Sequence, residues 1–467
     1  MESYQAHNLN IKVRFLSLLM NENLINIIII IGLFVIFLEY KLWKNNIINF
    51  IIIFSLVFIV NYTNIFNIHL FNLNSWKLLF LFLITISLLI ILNIIKEKSF
   101  DIYCLLILSY IGSLILILSD NLMTLYLGLE LQTFSIFILI AKNRVSIKSS
   151  EAGLKYFMLG AISSGFYLLS LVILFLFGFS LNFNEILLLN NDLIIIICIS
   201  LIILSLSFKL SLFPFHFWIP DIYEGSSWDI LSLIATLPKI SVISVLIQIL
   251  INSNIIITIS LLSIVIGTLG ALNQTKFKRL LAYSGISHMG FIILSYFLLS
   301  KFNLIVGNIY LIIYMLTMLS LFIIILNNNI SFNYIIELGG LKFINKILAI
   351  TLILIILSIA GIPPLSGFIS KWYLLWIIIE NNYNFSAFII ILFSIIGIAY
   401  YLRLVKIIYF QKKGSYFLWK DILDNKTFIK KDFSFFLLGF IFFIVLFLIF
   451  NFNFIINFLS YIFISLY

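Results

Sequence analysis

Apolar runs of about 20 residues recur along this chain, each apolar on every side, with short polar stretches between them. A helix rising 1.5 Å per residue needs about 20 residues to cross a hydrocarbon core of ~30 Å. Fourteen segments meet that length: 24–43, 46–62, 76–95, 101–119, 121–141, 152–180, 192–213, 228–250, 254–273, 277–299, 303–327, 346–380, 384–410 and 433–458. They are numbered segments 1 to 14. A membrane β-barrel would show alternating strands of about 10 residues, and these longer runs do not alternate. The pattern predicts an all-α integral membrane protein of about 14 transmembrane helices. No soluble domain fits between the segments. Segment 12 is too long for one straight crossing and contains Pro363 and Pro364, so it should be broken. Residues 1–23, with Lys12 and Arg14 among apolar neighbours, should form a short surface helix.

Charge between the segments sets orientation. Connections after odd segments are basic: Lys41 and Lys44; Lys96 and Lys98; Lys142, Arg144 and Lys148; Lys276, Lys278 and Arg279; Lys342 and Lys346; then Lys412, Lys413, Lys420, Lys426, Lys430 and Lys431. Connections after even segments carry little beyond Lys77 and Lys301. Basic loops stay on the matrix or cytoplasmic side, which would place both termini on the outer side.

Composition narrows the chemistry. Of 467 residues, 63% are hydrophobic and 10% charged, against about 25% charged in a soluble domain. The mean hydropathy is +1.22. The +10 net charge comes from basic loops and implies no nucleic-acid partner. Ile, Asn, Phe, Lys and Tyr are abundant, as expected of an AT-rich genome such as an organelle's. Cys104 and Cys198 both lie in apolar segments with no CxxC, so neither a disulfide framework nor a metal site is indicated. No GxGxxG and no Walker loop occurs. Nothing in the sequence reads as a nucleotide, flavin or iron–sulfur motif.

Four ionisable residues fall well inside the segments: Glu130 in segment 5, Lys209 late in segment 7, Lys239 in segment 8 and Lys371 after the break in segment 12. Each costs roughly 2.5–3.5 kcal/mol at mid-membrane on insertion scales if left facing lipid. Three lysines cannot all pair with one glutamate. An unmatched lysine must share, bind water or shed its proton, and such a series suits a proton relay. Pro238 precedes Lys239, Pro363 and Pro364 precede Lys371, and Pro214 follows Lys209 by five residues. A broken helix opens backbone groups that need water or side chains at mid-membrane, as in transporters. His288 could extend the relay on its inner side or be a packing histidine. Tyr283 and Ser287 could hydrate the same place, or bond their own helix. Asp221 and Glu224 are expected to cap segment 8. Lys155, Arg403 and Lys406 are expected to snorkel to the interface, the last two also able to bind phospholipid phosphate.

The run KLSLFPFHFWIPDIYEGSSW at 209–228 resembles the hallmark stretch of the antiporter-like subunits of respiratory complex I, the proton-pumping NADH:ubiquinone oxidoreductase. The PDIYEGS ending is similar to the subunit 2 branch, as are KYFMLGAISSGFYLLS (155–170), LLAYSGISHMGF (280–291) and GIPPLSGFISKWYLL (361–375). EGSSW departs from the branch, where a proline commonly follows the small residue. The resemblance spans segments 4 to 13. It implies two inverted five-helix repeats with helices 7 and 12 broken. The chain then divides into residues 1–100 with three helices, 101–250 as the first repeat, 251–410 as the second, and 411–467 as an inner loop and last helix. The family's helix 5 carboxylate matches Glu130, and its lysines on helices 7, 8 and 12 match Lys209, Lys239 and Lys371. The resemblance further implies a core membrane-arm subunit that carries a proton path and no cofactor. NAD, FMN, iron–sulfur clusters and ubiquinone would sit in other subunits, and other antiporter-like subunits would be neighbours. The implied location is the mitochondrial inner membrane, with both termini on the intermembrane-space side; a bacterial plasma membrane is the alternative. An Mrp-type cation/proton antiporter subunit is the competing reading, and the PDIYEGS loop argues against it.

Overall fold

The computed structural model describes residues 74–95, 99–143, 146–179, 181–183, 193–249, 254–296, 301–327, 333–339, 341–344, 346–411, 439 and 452–463. Segments 1 and 2, the expected surface helix in residues 1–23 and most of segment 14 lie outside the described residues. So do Lys41, Lys44, Lys96, Lys98, Arg144 and the lysines from Lys412 to Lys431.

Long apolar helices follow one another as the sequence pattern requires. They are α1 (Ser75–Ile94), α2 (Phe100–Leu118), α3 (Leu122–Ala141), α4 (Ile147–Leu176), α5 (Leu193–Lys209), α6 (Trp218–Gly225), α7 (Trp228–Ile249), α8 (Asn254–Leu272), α9 (Phe277–Tyr296) and α10 (Lys301–Asn327). A 3₁₀ turn at Ile335–Leu338 and the short α11 (Leu341–Ile344) lead to α12 (Lys346–Ala360), α13 (Ser366–Glu380), α14 (Asn384–Tyr409) and α15 (Phe452–Phe463). Eight of these helices are long and apolar enough to cross a membrane. The described residues form no strand, only two isolated bridges. In lipid a helix satisfies its backbone within itself, so this composition leaves few alternatives.

Burial is uneven. Helices α7 and α10 pack against each other at the centre and are almost wholly enclosed. Helices α4 and α14 lie at the rim and turn apolar faces outward, including Leu154, Met158, Ile162, Phe388 and Ile395. The connections sort to two ends. Bridges and ion pairs join the 5–6, 7–8, 9–10 and 11–12 connections at one end: Lys148 and Lys276 both meet Glu224, and Lys276 bridges to Tyr334. At the other end Lys77 meets Asp120, and Asn121 bridges to Asn182. This sorting follows the charge alternation read from the sequence.

In two segments the helix stops before the segment does. Residues 192–213 give α5, which stops at Lys209, and the next helix, α6, starts at Trp218. Residues 346–380 give α12 and α13, separated by residues 361–365. Both α5 and α12 end in the same hydrogen-bond pattern. Leu212 N–H bonds Ser207 C=O and Ser211 N–H bonds Phe208 C=O; Ile362 N–H bonds Leu357 C=O and Gly361 N–H bonds Ser358 C=O. Each pattern needs a left-handed residue, here Ser211 (φ 63°) and Gly361 (φ 79°).

Candidate functional site

Lys209 is the last residue of α5 and is buried. Its ammonium lies 5.3 Å from the centre of the Phe208 ring, within cation–π range. Glu130, on α3, acts on Lys209 through its charge. The two are not in direct contact: no ion pair within 4.0 Å joins them among the described residues. Glu130 is only half-buried. It shares a helical face with the exposed Leu127, Phe134 and Ile138, so it borders the outside of the chain.

Lys239 sits at mid-α7, one residue after Pro238, and is 1% exposed. Proline at 238 removes the N–H that would bond the Ile234 carbonyl. The Lys239 ammonium donates to Tyr314 Oη at 3.3 Å and lies 5.4 Å from that ring's centre. Tyr314 belongs to α10, and its ring stacks on His288 with centroids 5.2 Å apart. His288 Nδ1 is 3.0 Å from Tyr310 Oη, and Nε2 is 3.1 Å from Tyr401 Oη. One tautomer donates to one tyrosine and accepts from the other. Tyr401 and its neighbour Tyr400, on α14, reach Ser284 and Ser287 on α9.

His288 lies in the middle of α9 and is fully enclosed. The helix starts at Phe277, so residue 288 is more than two turns in and cannot reach the inner surface. Sequence reasoning missed Tyr310, Tyr314, Tyr400 and Tyr401, which surround it.

Lys371 is on α13, and its ammonium reaches back across the break to the Ala360 carbonyl at 2.7 Å. The Phe291 ring centre is 5.7 Å away. Gly361 makes this possible: a Cβ there would stand 2.8 Å from Lys371 Cδ and 3.1 Å from Nζ. Contacts therefore run from Lys239 on α7 through Tyr314 on α10 and His288 and Phe291 on α9 to Lys371 on α13, with Lys209 at the end of α5 standing apart from them.

Asp221 and Glu224 do not cap α7. Residues 218–225 form their own helix, α6, and Asp229 takes the first turn of α7. Asp221 accepts from Arg279 at 2.9 Å and from Lys155 at 2.7 Å. Glu224 accepts from Lys148 at 3.0 Å and from Lys276, with Arg279 Nε at 2.6 Å in ionic contact. Burial pushes the Glu224 carboxyl up, but the Lys276 and Lys148 hydrogen bonds and the Arg279 and Lys276 charges outweigh it, holding it at about 2. Lys155 is tied to Glu151 as well as Asp221 and does not simply snorkel. Arg403 and Lys406 are exposed at the last turns of α14, as expected, with Arg403 donating to the Leu272 carbonyl at 3.4 Å. At the opposite end Lys77, 2% exposed, pairs with Asp120 at 2.5 Å. Lys77 is thus a buried ion-pair partner and not a loop charge.

The family described as NADH:quinone oxidoreductase/Mrp antiporter, TM, matches residues 119–397, more than half of the chain. The chain belongs to that family. NADH-ubiquinone oxidoreductase chain 2 of Metridium senile is 39% identical over 347 residues, covering 71% of this chain and 90% of its own. NADH-quinone oxidoreductase subunit N of Pelagibacter ubique is 36% identical over 340 residues, covering 70% and 72%. The fold matches a chain of respiratory complex I from Thermus thermophilus with a TM-score of 0.81 at 21% identity, covering 92% of this chain and 98% of that one. It matches a chain of the Mrp complex from Dietzia sp. with a TM-score of 0.80 at 17% identity, covering 93% and 95%. Glu130, Lys209, Lys239, His288 and Lys371 all fall inside the stretch that matches the NADH:quinone oxidoreductase/Mrp antiporter family. Lys77 falls outside it.

Proposed function

We propose that this chain is the chain 2 (subunit N) component of a proton-pumping NADH:ubiquinone oxidoreductase, and that it carries a proton across the membrane through Glu130, Lys209, Lys239, His288 and Lys371. One observation carries the reading: His288 is joined to Lys239 through Tyr314, and on its other side it packs on Phe291, whose ring lies under the Lys371 ammonium. Proton transfer between lysines needs such polar stepping stones, because a dry apolar gap would leave the charge without solvation. The inferred order is inner water, Lys209 with Glu130, Lys239, His288, Lys371, outer water. A carboxylate near Lys209 stabilises its protonated form, and its withdrawal favours release. Glu130 borders the outside of the chain, so a charge on an adjacent membrane-arm subunit can compete for it. Other antiporter-like subunits and phospholipid are the neighbours of this face. NAD, FMN, iron–sulfur clusters and ubiquinone belong to other subunits, which supply the redox energy.

The family resemblance supports two inverted repeats, residues 101–250 and 251–410, with α5 and α6 as halves of one broken helix and α12 and α13 as halves of another. In support, each half of the chain contains a helix that stops at a left-handed residue beside a lysine, Lys209 in the first and Lys371 in the second. Residues 1–100 and 411–467 flank the repeats. The basic connections favour the Glu224 end as the matrix side of a mitochondrial inner membrane, with both termini on the opposite side; in a bacterial membrane the same end would face the cytoplasm. The Mrp-type reading shares the fold, and its chain superposes almost as well. The relatives at 39% and 36% identity are both complex I subunits, which favours complex I.

Glu130→Gln and Lys239→Met test the relay. Each should leave the complex assembled and impair pumping-coupled turnover, with Glu130→Asp milder because its charge remains. Full proton translocation in both Glu130→Gln and Lys239→Met would make these residues structural charges and end the proposal.

A further inference from the structure

Helix α6 has eight residues and binds something different at each end. At its start, Trp218 Nε1 donates to the Phe208 carbonyl at 3.0 Å, and its ring packs on Phe208 with centroids 5.3 Å apart. Tyr156 closes the group, 5.3 Å from Trp218. Phe208 in turn carries the Lys209 ammonium over its ring. So Trp218 holds both the backbone and the ring beside Lys209.

Further along α6, Asp221 and Glu224 are gripped from two sides. Lys148 and Lys155 come from α4; Arg279 comes from α9 and Lys276 from just before it. Lys278 of α9 also donates to the Ser226 carbonyl. The fit is close: a Cβ on Gly225 would lie 2.4 Å from the Lys148 carbonyl oxygen. Six residues at 1.5 Å each separate Trp218 from Glu224, about 9 Å of stiff helix. Helix α9 is the one that carries His288.

We propose that α6 is a strut, with Asp221 and Glu224 as positioning residues that pass the placement of α9 to Lys209 through Trp218 and Phe208. The inference rests on the relay reading, since it gives the strut something to position. It adds that the Lys209 site and the His288 site move in register, because one short helix is fastened to both. An ion-pair cluster serving stability alone would have no need of the indole bond at the other end.

The test uses the assembled complex and measures protons translocated per NADH oxidised. That ratio is independent of how much complex assembles. Trp218→Phe removes one hydrogen bond and keeps an aromatic ring. Glu224→Gln removes the charge and keeps the shape. Each should lower the ratio about threefold or more, within the range for changes along a coupling element. The double variant should be no worse than the worse single one, because both cut the same connection. Glu224→Asp should restore most of the ratio. A normal ratio in both Trp218→Phe and Glu224→Gln would overturn the strut. So would a double variant whose loss is the product of the singles. Lys209→Met separates the two ideas: a full ratio there removes the relay itself, whereas a loss there beside normal Trp218→Phe and Glu224→Gln removes only the strut.

Discussion

The two helix breaks are built alike and hold their lysines differently. Both α5 and α12 end with a left-handed residue, and in both a donor from the following helix captures a carbonyl that the break exposes. After α5 that donor is the neutral Trp218 indole, bonded to the Phe208 carbonyl. After α12 it is Lys371 itself, bonded to the Ala360 carbonyl. Lys209 precedes its break; among the described residues it makes no such bond, and it lies over the Phe208 ring with Glu130 beyond ion-pair distance. A backbone dipole cannot be withdrawn, whereas a half-buried glutamate can swing. In the proposed relay the same local geometry would give one fixed cation site and one that a neighbouring charge could switch.

The strongest challenge to that contrast is Lys371→Met. It deletes the cation and also leaves the Ala360 carbonyl without its donor, costing about 1–3 kcal/mol where that group stays buried. Turnover coupled to pumping should fall about 100-fold, at the low end of what a positioned proton-transfer group contributes. The loss should exceed that of Glu130→Gln, since in the proposed relay the lysine carries the proton and the glutamate only modulates it. Equal losses in proton translocation assays of the two variants would erase the distinction between fixed and switchable sites.

Gly361→Ala comes next. A left-handed alanine costs roughly 1–2 kcal/mol, and the new methyl would press on Lys371 Cδ and Nζ. The lysine is a flexible chain and can yield, but only by leaving the Ala360 carbonyl. Assembly should persist, and coupled turnover should drop about tenfold if about 1.4 kcal/mol of placement is lost at Lys371. Unchanged turnover would show that the bond to Ala360 is incidental.

Much of this was legible from the chain, for identifiable reasons. The helices follow from apolar length, and Pro214, Pro363 and Pro364 mark where α5 and α12 stop short. Glu130, Lys209, Lys239 and Lys371 stood out because a charge inside an apolar run needs explaining. The tyrosines around His288 were not legible. With 22 Tyr and 49 Phe in a chain apolar on all sides, no periodicity marks which rings meet. The ion cluster was hidden because it joins residues from 148 to 279, and α6 is too short for its own apolar period. Asp221 and Glu224 lie just ahead of α7, so capping was the nearest local role, and tertiary partners overrode it. Lys77 was misplaced because it starts a span, where a snorkelling lysine looks the same as a buried one.

A milder contrast lies in acid. The first break is secured by carboxylates and the second by a lysine and a carbonyl. Glu224 is held at about 2, below its ordinary 4.5. A carboxylate depressed on folding contributes stability above its unfolded value and loses it as pH falls towards the folded one. The α6 attachment should thus be intact above about pH 4.5 and loosen progressively down to about 2. Hydrogen exchange, corrected for its intrinsic pH dependence, should show Trp218–Gly225 losing protection over that range ahead of Ser366–Glu380. Simultaneous loss in both helices would mean that the ion cluster does not set the stability of α6.

The smallest expected effect is at Ser211, the counterpart of Gly361. Serine in the left-handed region carries roughly 1–2 kcal/mol of strain, which glycine would relieve. Against that, glycine loses more freedom on folding, about 0.4–1 kcal/mol, and the Ser211 hydroxyl's bond to the Leu210 carbonyl disappears. The opposing contributions nearly cancel, so Ser211→Gly should change stability by no more than about 1 kcal/mol. Proton translocation should stay at the parental level, because neither Glu130 nor the Trp218 indole bond depends on that side chain. Thermal inactivation half-life and protons pumped per NADH, measured together, check both statements. The Gly361→Ser exchange at the second break should behave in the opposite way, adding strain and displacing Lys371. If Ser211→Gly instead cost as much pumping as Gly361→Ala, the serine would be part of the proton path, and the first break would hold its lysine through a side chain not counted above.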